Sequence, residues 1–404
     1  MNLKKINFPL VDVNYDNAEI LSCIETLLSG QLTMGKRVKE FEEIFAAKVG
    51  AKYAVFCNSG SSANLLALSA VTNPVYKQRL NVGDHVAVPA VCWSTSLWPI
   101  IQTGLTPVLI DVDPLTLNID VDAFEKAVVE KNIKGLVLVH TLGNSTNFSR
   151  LLDVIKKNNI VLIEDTCESL GSTYKNRWLG TFGDFGTYSF YFSHHMTTIE
   201  GGMVVTNSAE NYDLLKVLRA HGWSREQSNK AQLEDENPHI DPRFLFVNVG
   251  YNLRPMEIQA AFGIEQIKRL DEMNHSRREN TRKIRKAFLN HPKWDDQFIF
   301  PYAPEGIDAC WFGFPMLLSE KITFDYKKFV SNLMHAGIDT RPIISGNMAI
   351  QPALKLFSVD TSLGPFLGAQ KVHDRGIFFG THTQILADER INELINSIFH
   401  ALEN

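Results

Sequence analysis

The chain has no long apolar run, no basic tail and no closely spaced pair of cysteines. No stretch approaches the ~20 apolar residues that a membrane-spanning helix needs, and the polar beginning, MNLKKINF, does not resemble a signal peptide. The net charge of −5 at pH 7 gives no reason to expect a nucleic-acid partner. We therefore expect a cytoplasmic protein that binds neither a membrane nor nucleic acid.

The cysteines are few and scattered. They are Cys23, Cys57, Cys92, Cys167 and Cys310. They form none of the spacings that hold zinc or an iron–sulfur cluster, so no metal site is predicted. Free thiols without a disulfide framework are typical of a reducing compartment, which fits the cytoplasmic expectation.

Apolar, strand-like runs alternate with amphipathic helical segments through the first two-thirds of the chain. The predicted strands are 84–90, 106–113, 135–141, 160–166, 186–192 and 202–206, and the predicted helices include 120–132 and 149–159. Several strands are apolar throughout, which is typical of strands buried on both faces of a largely parallel sheet. This alternation predicts an α/β fold with a mostly parallel central sheet flanked by helices.

The pattern changes after about residue 255. A long helical stretch covers 257–290, with the possibility of a break, and is followed by segments 308–318, 325–337 and a final helix near 388–402. We expect a large α/β domain over residues 1–265 and a small C-terminal α+β domain over 266–404. The polar segment 224–244 shows almost no periodicity and is predicted to be a long surface loop.

Residues 58–70, NSGSSANLLALSA, contain a Ser/Gly turn that opens an apolar helix. Ligands of an open parallel sheet bind outside the carboxyl ends of its strands, and helix N-termini there attract phosphates. The backbone N–H groups of Gly60, Ser61 and Ser62 are candidate phosphate ligands. An ordinary serine N-cap explains the same pattern, and both interpretations remain open.

Two further strand ends carry residues suited to an aromatic cofactor. Trp93 follows strand 84–90, where it could stack on a planar ring or simply pack in the core. Glu164 and Asp165 end strand 160–166, and Glu168 follows. A carboxylate there would hold a pyridinium nitrogen through a charge-assisted hydrogen bond, although a helix N-cap is an equally good explanation.

The stretch SFYFSHHMTTIEGGMV, residues 189–204, follows the next strand. Ser189 is a second candidate phosphate ligand. His194 and His195 follow it without any lysine nearby, although lysine is the usual covalent anchor of a carbonyl cofactor. A single histidine after a strand is more often structural than catalytic, so its interpretation depends on context.

Taken together, these segments resemble the DegT/DnrJ/EryC1/StrS sugar aminotransferase family. Its members are fold-type-I enzymes that use pyridoxal 5′-phosphate (PLP) on nucleotide-linked keto-sugars. The resemblance covers nearly the whole chain in the family's order, through the segments CNSGSSANLLAL, VPAVCWSTS, PVLIDVDPLTLNID, IEDTCESLGS, LGTFGDFGTYSF, IEGGMVV, VGYNLRPMEIQAAFG and DTRPIISGN.

The resemblance implies a role for each matching position. Trp93 would stack on the pyridine ring, Asp165 would pair with the ring nitrogen, and Glu168 would contact the phenolic oxygen. The phosphate would be bound by Gly60, Ser61, Ser62 and Ser189. Asn252 matches a position that reaches the phosphate of the neighbouring subunit, which implies a homodimer with a shared active site.

His194 stands where ordinary members carry the anchoring lysine, so the chain resembles the lysine-less dehydratase branch. That branch implies non-covalent PLP or pyridoxamine 5′-phosphate (PMP), with L-glutamate as amino donor. The implied reaction is 3-deoxygenation of a nucleotide-linked 4-keto-6-deoxyhexose, expected to be GDP-4-keto-6-deoxy-D-mannose, in deoxysugar biosynthesis. His194 would be the base that moves protons. A related histidine-bearing branch adds a [2Fe–2S] cluster, which is disfavoured because Cys310 is the only cysteine in the last third.

Two alternatives remain at this point. The chain could be a sugar aminotransferase whose lysine lies elsewhere; Lys175 is the nearest upstream lysine, but its polar turn is typical of a solvated surface. It could also be a binding or sensor protein that has lost catalysis, against which the retained ring and phosphate ligands argue. The residues do not fix the nucleotide or the sugar stereochemistry, whose contacts we expect in segments 224–244 and 339–347. His195 is interpreted as structural.

Overall fold

The computed structural model describes residues 7–403. The α-helices within this range are α1 (Asn17–Leu28), α2 (Lys36–Val49), α3 (Gly60–Thr72), α4 (Ser94–Gln102), α5 (Val121–Glu130), α6 (Phe148–Asn158), α7 (Ala209–Arg219), α8 (Lys230–Glu236), α9 (Glu257–Leu289), α10 (Tyr326–His335), α11 (Leu367–Arg375) and α12 (Asp388–Glu403). The expectation about a signal peptide concerns mainly residues 1–6, which lie outside the described residues.

The strands of the same range form four sheets. They are β1 (Tyr53–Cys57), β2 (His85–Pro89), β3 (Thr106–Ile110), β4 (Val112–Asp113), β5 (Asn118–Ile119), β6 (Gly135–Val139), β7 (Val161–Asp165), β8 (Thr173–Tyr174), β9 (Arg177–Trp178), β10 (Phe185–Ser189), β11 (Gly202–Thr206), β12 (Phe298–Ile299), β13 (Ile307–Asp308), β14 (Gly313–Leu318), β15 (Thr340–Pro342) and β16 (Gly376–Gly380). Short sheets pair β4 with β5, and β13 with β8 and β9.

The large sheet has seven strands in the order β1-β11-β10-β7-β6-β2-β3. Strands β10, β7, β6, β2 and β3 run parallel, and only β11 pairs antiparallel with both of its neighbours. Every residue of β6, β7 and β10 is buried, because helices cover both faces of the sheet. The predicted α/β class with a mostly parallel sheet is confirmed.

Alternate residues of β6 pack in two different hydrophobic clusters. Val137 packs in a cluster with Leu66 of α3, whereas Leu136 packs with Phe124 of α5 and Leu151 of α6. Since successive side chains of a strand point to opposite faces, α3 lies on one side of the sheet and α5 and α6 lie on the other. The carboxyl ends of the parallel strands are left to form the site.

A four-stranded sheet, in the order β12-β14-β16-β15, forms a second core with α10 and α12. Helix α9 is continuous from Glu257 to Leu289, so the possible break in it is absent. It packs both against α2 beside the large sheet and against the four-stranded sheet. Ile264 packs with Phe41 of α2, whereas Phe288 packs with Phe314 of β14. The predicted division after residue 265 falls within α9. That division remains a prediction.

The structure differs from the sequence prediction at one strand end, in one polar segment and in several elements that were not predicted. The strand predicted over 186–192 ends at Ser189, and Tyr191 and Phe192 are exposed although their apolar character continues the pattern. Segment 224–244 was predicted to be a loop, but it contains α8, whose residues are all unburied. In addition, several elements were not predicted, among them α1, α2, α4, α7, α11 and β1. No helix within residues 7–403 is long and apolar enough to cross a membrane.

Candidate active site

The ends of three parallel strands bring the predicted cofactor residues to one edge of the large sheet. Asp165 ends β7, and Ser189 ends the adjacent strand β10, with Thr187 in register with Asp165. Trp93 lies between β2 and the first turn of α4. The strand ends therefore assemble one site, as the general rule for parallel sheets predicts.

Asp165 is a buried carboxylate held by three donors. Its Oδ2 accepts from Asn64 Nδ2 at 2.8 Å and from Ser96 Oγ at 2.7 Å, and its Oδ1 accepts from the Cys167 N–H at 3.2 Å. A carboxylate has about four acceptor positions, so one remains for a ligand. Residues 166–172 form turns and no helix, which makes the N-cap explanation of Asp165 wrong. Asn64 and Ser96 were not predicted, because nothing in their local sequence marks them.

Glu164, the neighbouring carboxylate, faces the opposite side of the sheet and is fully satisfied by the protein. Its Oε1 accepts from the N–H groups of Phe182 and Gly183, at 2.7 and 2.8 Å. Its Oε2 accepts from the Gly180 N–H at 2.8 Å and lies 3.1 Å from His140 Nε2. With both oxygens occupied and no exposed surface, Glu164 fixes the loop before β10 and leaves Asp165 as the available group.

Glu168 lies at the same edge and shapes a neighbouring turn. Its Oε2 accepts from the Leu142 N–H at 3.0 Å. Burial raises the pKa of the Glu168 carboxyl to about 7, although the Leu142 hydrogen bond lowers it, and the negative charge of Asp165 adds to the rise. The carboxyl therefore changes protonation near neutral pH, and its other oxygen is available to a ligand.

His194 follows β10 on a turn, where its backbone N–H bonds the Tyr191 carbonyl at 2.9 Å. Its Nδ1 lies 2.6 Å from the carbonyl oxygen of Cys167. A carbonyl oxygen only accepts, so Nδ1 carries the proton and Nε2 keeps a free lone pair. Burial lowers the His194 pKa to about 4, against smaller contributions from the Cys167 hydrogen bond and Asp165 that raise it. The imidazole is neutral at pH 7 and can act as a base.

His195 lies in a different environment, as predicted, but for a different reason. The prediction assumed an extended chain, whereas residues 190–200 form turns and bends. His195 is fully buried, with Nε2 2.9 Å from the Cys310 carbonyl oxygen. Desolvation lowers the His195 pKa well below the usual value, so it too is neutral. These contacts agree with the structural interpretation.

The start of α3 touches the end of β10. A Cβ atom on Gly60 would lie 2.5 Å from Ser189 Cβ, so only glycine permits this approach. Ser59 caps the helix by accepting from the Ser62 N–H at 3.1 Å. The N-cap explanation is thus correct for Ser59, and the Ser62 N–H is already used. Gly60 and Ser61 precede the first intrahelical bonds, so their N–H groups and the Ser189 hydroxyl are the ones left to meet a phosphate.

Three other predicted residues lie on the surface. Trp93 is 57% exposed, which rules out the core-packing alternative. Asn252 is exposed and its Oδ1 accepts from Arg254 Nε at 2.9 Å, while the adjacent Leu253 carbonyl accepts from the Asn58 N–H at 3.1 Å. Lys175 is exposed in the turn between β8 and β9, as its polar context predicted.

Comparison with known proteins identifies the family. Residues 14–399 match the DegT/DnrJ/EryC1/StrS aminotransferase family. The chain belongs to this family. The resemblance inferred from the sequence is therefore confirmed.

Several family members are similar over their full length. A GDP-4-keto-6-deoxy-D-mannose 3-dehydratase from Escherichia coli O55:H7 is 39% identical over 387 residues, which cover 95% of this chain and 97% of the relative. A GDP-4-keto-6-deoxymannose-3-dehydratase structure with a trapped PLP–glutamate geminal diamine has a TM-score of 0.90 and 36% identity, and covers 97% of this chain and 100% of the other. A mutant of that enzyme with bound GDP-perosamine has a TM-score of 0.89 and 37% identity, over 97% and 100%.

The donor set of this family member fits PLP. The spare acceptor position of Asp165 suits a protonated ring nitrogen, and the exposed Trp93 offers a face for the ring. The close approach at Gly60 brings the Ser189 hydroxyl beside the first N–H groups of α3, which suits a phosphate. Within residues 7–403 no group of three or more His, Cys, Asp or Glu side chains is arranged to hold a metal ion.

Proposed function

We propose that this family member is a PLP/PMP-dependent 3-dehydratase of a nucleotide-linked 4-keto-6-deoxyhexose, GDP-4-keto-6-deoxy-D-mannose, with L-glutamate as amino donor. The observation that carries the proposal is His194, a neutral base at the anchoring position, with its Nδ1 proton on the Cys167 carbonyl and its Nε2 free. The reaction would supply a deoxysugar biosynthetic pathway. The relatives named above have this activity in their names and bind glutamate adducts and a GDP-sugar.

The residues that would hold the cofactor are those gathered at the strand ends. Asp165 would bind the ring nitrogen, Trp93 would stack on the ring, and Glu168 would meet the phenolic oxygen. Gly60, Ser61 and Ser189 would bind the phosphate, with Ser62 behind them because its N–H is used in the cap. When bound in its amine form, the cofactor supplies a nitrogen that condenses with the C4 ketone and a ring that accepts electron density.

His194 would move the protons. Its Nε2 would take a proton from C4′ of the cofactor, and the resulting imidazolium would give a proton to the departing C3 hydroxyl. The lowered pKa of His194 makes its imidazolium a stronger acid than a free one, which favours this second transfer, and makes the neutral ring a correspondingly weaker base for the first. The Cys167 carbonyl keeps the ring from turning between the two events.

The absence of a lysine at position 194 favours dehydration over transamination. A lysine would compete for the cofactor aldehyde and could relay a proton to C4 of the sugar, which completes an amino transfer. A histidine is shorter and does neither. The overall reaction balances with glutamate as the reductant: the keto-sugar and glutamate give the 3-deoxy-4-keto sugar, 2-oxoglutarate and ammonia.

We further infer a homodimer with a shared active site. Helix α1 exposes a row of large apolar side chains, from 44% for Ile20 to 83% for Leu28, and an exposed apolar patch of this kind marks an interface. Thr33 pairs with Met256, so this patch continues toward the exposed Asn252. In such a dimer Asn252 would reach the phosphate of the partner subunit, as the family resemblance implies.

The deciding experiment supplies PLP, L-glutamate and a panel of GDP-, CDP-, dTDP- and UDP-linked 4-keto-6-deoxyhexoses, and identifies the products by mass spectrometry. We expect loss of the C3 oxygen, with 2-oxoglutarate and ammonia formed in equal amounts, and we expect the GDP-sugar to react best. His194→Phe is the matched control, and it should convert the sugar at least about 10²-fold more slowly. An amino-sugar product would show an aminotransferase instead. Bound cofactor without turnover of glutamate or any sugar would show a non-catalytic binding protein.

A further inference from the structure

Phe312, the residue before β14, brings the small sheet against the site. Its ring centroid lies 5.2 Å from that of His194 and 5.8 Å from that of His195, at tilts of 52° and 50°. The ring is half-buried and forms an apolar wall beside both imidazoles. No residue type or spacing in the sequence pointed to this position.

The backbone of Phe312 is held from both sides. Its N–H donates to the Leu142 carbonyl at 3.0 Å, and its carbonyl accepts from Arg277 Nη1 at 2.9 Å. A half-exposed ring alone would rotate or shift, but two backbone hydrogen bonds fix the point from which it projects. The position of the wall is therefore set by Leu142 and Arg277.

Leu142, whose carbonyl accepts from the Phe312 N–H, lies in a strained turn. Leu142 has a φ of 51°, a left-handed conformation that leucine rarely adopts. Its N–H donates to Glu168, and Gly143 follows with a φ of 90° at a place where a Cβ would lie 2.0 Å from the Cys310 carbonyl oxygen. Such strain persists only where surrounding contacts impose it, and functional sites are where it is commonly found.

Arg277, which donates to the Phe312 carbonyl, has a buried guanidinium group. Arg277 is only 4% exposed, donates to Thr381 Oγ1 at 3.0 Å as well as to Phe312, and has no carboxylate within ion-pair distance among residues 7–403. Its Nε has no partner in the same range. Burying an unpaired charge is costly, so its hydrogen bonds to the Phe312 carbonyl and Thr381 are the compensation that this position retains.

We propose that Phe312 is a positioning residue for His194: its clamped ring blocks rotation of the imidazole, so that Nδ1–H stays on the Cys167 carbonyl and Nε2 stays turned to the reacting atoms. This proposal rests on His194 being the proton-moving base. The same ring keeps water from the imidazole, which accounts for part of the desolvation there. The charged and titratable groups that face His194 are Asp165 from β7, Arg277 from α9, the neighbouring His195, and Tyr191, whose ring centroid lies 6.1 Å from that of His194.

The test compares Phe312→Ala, Phe312→Leu and Phe312→Tyr with the unchanged protein, without cofactor, by ¹⁵N NMR of the His194 ring from pH 5 to 8. His194→Asn assigns the signal. We expect the unchanged protein and Phe312→Tyr to stay neutral in the Nδ1–H form throughout. In Phe312→Ala the ring should titrate inside this window and lose its fixed tautomer. Phe300→Ala is the matched control, because Phe300 is also half-buried in the small sheet's cluster but contacts no histidine.

Kinetics with the GDP-sugar form the second readout. Phe312→Ala should lower kcat at least about tenfold with KM changed less than about twofold, and Phe312→Tyr should restore kcat. Phe312→Leu stays apolar but lacks the flat ring that faces the imidazole, so it should show the same changes as the alanine variant, and it covers the case in which the alanine variant does not fold. An unaltered tautomer and titration in the folded alanine or leucine variant would overturn the proposal, as would the same change in Phe300→Ala. The NMR readout needs no turnover, so it decides the positioning role even if the proposed reaction fails.

Discussion

Asp165 and His194 both form hydrogen bonds with the backbone of one short segment, at Cys167. The Cys167 N–H donates to Asp165 Oδ1 at 3.2 Å, and the Cys167 carbonyl accepts from His194 Nδ1 at 2.6 Å. The group that would hold the cofactor ring and the group that would move its protons are therefore spaced by a single residue. A shift of this segment would displace both groups together.

Replacing His194 by lysine should exchange the base for an anchor. In His194→Lys, we expect PLP to become covalently attached to the protein and dehydration to be lost, because an amine reacts with the aldehyde and an imidazole does not. Borohydride treatment followed by mass spectrometry of the intact chain detects the attachment. His194→Phe should lower kcat by about 10²–10⁴ without any attachment. Retained dehydration in either variant would contradict the role of His194.

The adjacent carboxylates Asp165 and Glu164 should separate function from stability. Asp165→Asn should lower kcat at least about 10²-fold, since an amide cannot keep the ring nitrogen protonated. Glu164→Gln should cost about 1–3 kcal/mol of unfolding free energy, because its amide N–H₂ would face backbone N–H donors on whichever side it points. Urea unfolding and steady-state kinetics on both variants measure this. Equal effects on kcat would show that the two carboxylates are not distinct.

Acid should destabilise the fold through its two neutral histidines. The His194 pKa is lowered to about 4 and that of His195 well below its usual value, against 6.5 for an unfolded histidine. As pH falls below about 6.5, these two histidines bind protons in the unfolded chain but not in the folded one. Stability is therefore lost between about pH 6.5 and 4. His194→Asn should flatten the urea midpoint between pH 7.5 and 5.5. The exposed His275→Asn is the control, and an equally flattened curve there would contradict the prediction.

Glu168 should act in the opposite direction. Its folded pKa of about 7 lies above the unfolded value of 4.5, so the folded chain holds the extra proton and stability falls as pH rises from about 4.5 to 7. Glu168→Gln removes this loss and keeps an acceptor for the Leu142 N–H. The variant should gain stability relative to the unchanged protein at pH 8 but not at pH 5. Thermal melting at both values, with the exposed Glu43→Gln as control, measures the difference.

The shared active site predicts complementation between two inactive variants. Asp165→Asn damages a chain's own site, and Asn252→Ala would damage its partner's site. A mixed dimer then contains one site without either change, so co-refolded variants should regain about a quarter of the wild-type activity. Mixing Asp165→Asn with His194→Phe should regain nothing, because both lie in the same chain's site. Absence of recovery in the first mixture, with dimers shown by ultracentrifugation, would place Asn252 outside the partner's site.

The sequence was sufficient for six of the seven strands of the large sheet and for groups that end a strand. The strand 202–206 matches β11, and Asp165 and Ser189 lie at the predicted edge because parallel strands place their carboxyl ends together. The partners of Asp165 could not be predicted, since Asn64 and Ser96 come from two separate helices without local signals. Phe312 was missed for the same reason. The end of β10 was misplaced because Tyr191 and Phe192 extend the apolar pattern while facing solvent.

Helix α1 shows another limit of prediction from the hydrophobic pattern of the sequence. Helix α1 begins with a capping box at Asp16, but the residues that it buries are the polar Glu19, Ser22 and Thr26, and its large apolar side chains are exposed. A rule that assigns the apolar face of a helix to the core therefore places this helix the wrong way round. The proposed dimer would explain the exposed apolar face.

Position 194 lies on a turn beyond the last hydrogen-bonded residue of β10, so its side chain adds nothing to the pairing of the sheet. Either a lysine or a histidine can therefore stand here without cost to the strand ladder that builds the fold. The chemistry of this scaffold can change at one turn while the pairing of its strands stays the same. A change from adding nitrogen to a sugar to removing oxygen from it would then require no change in the sheet.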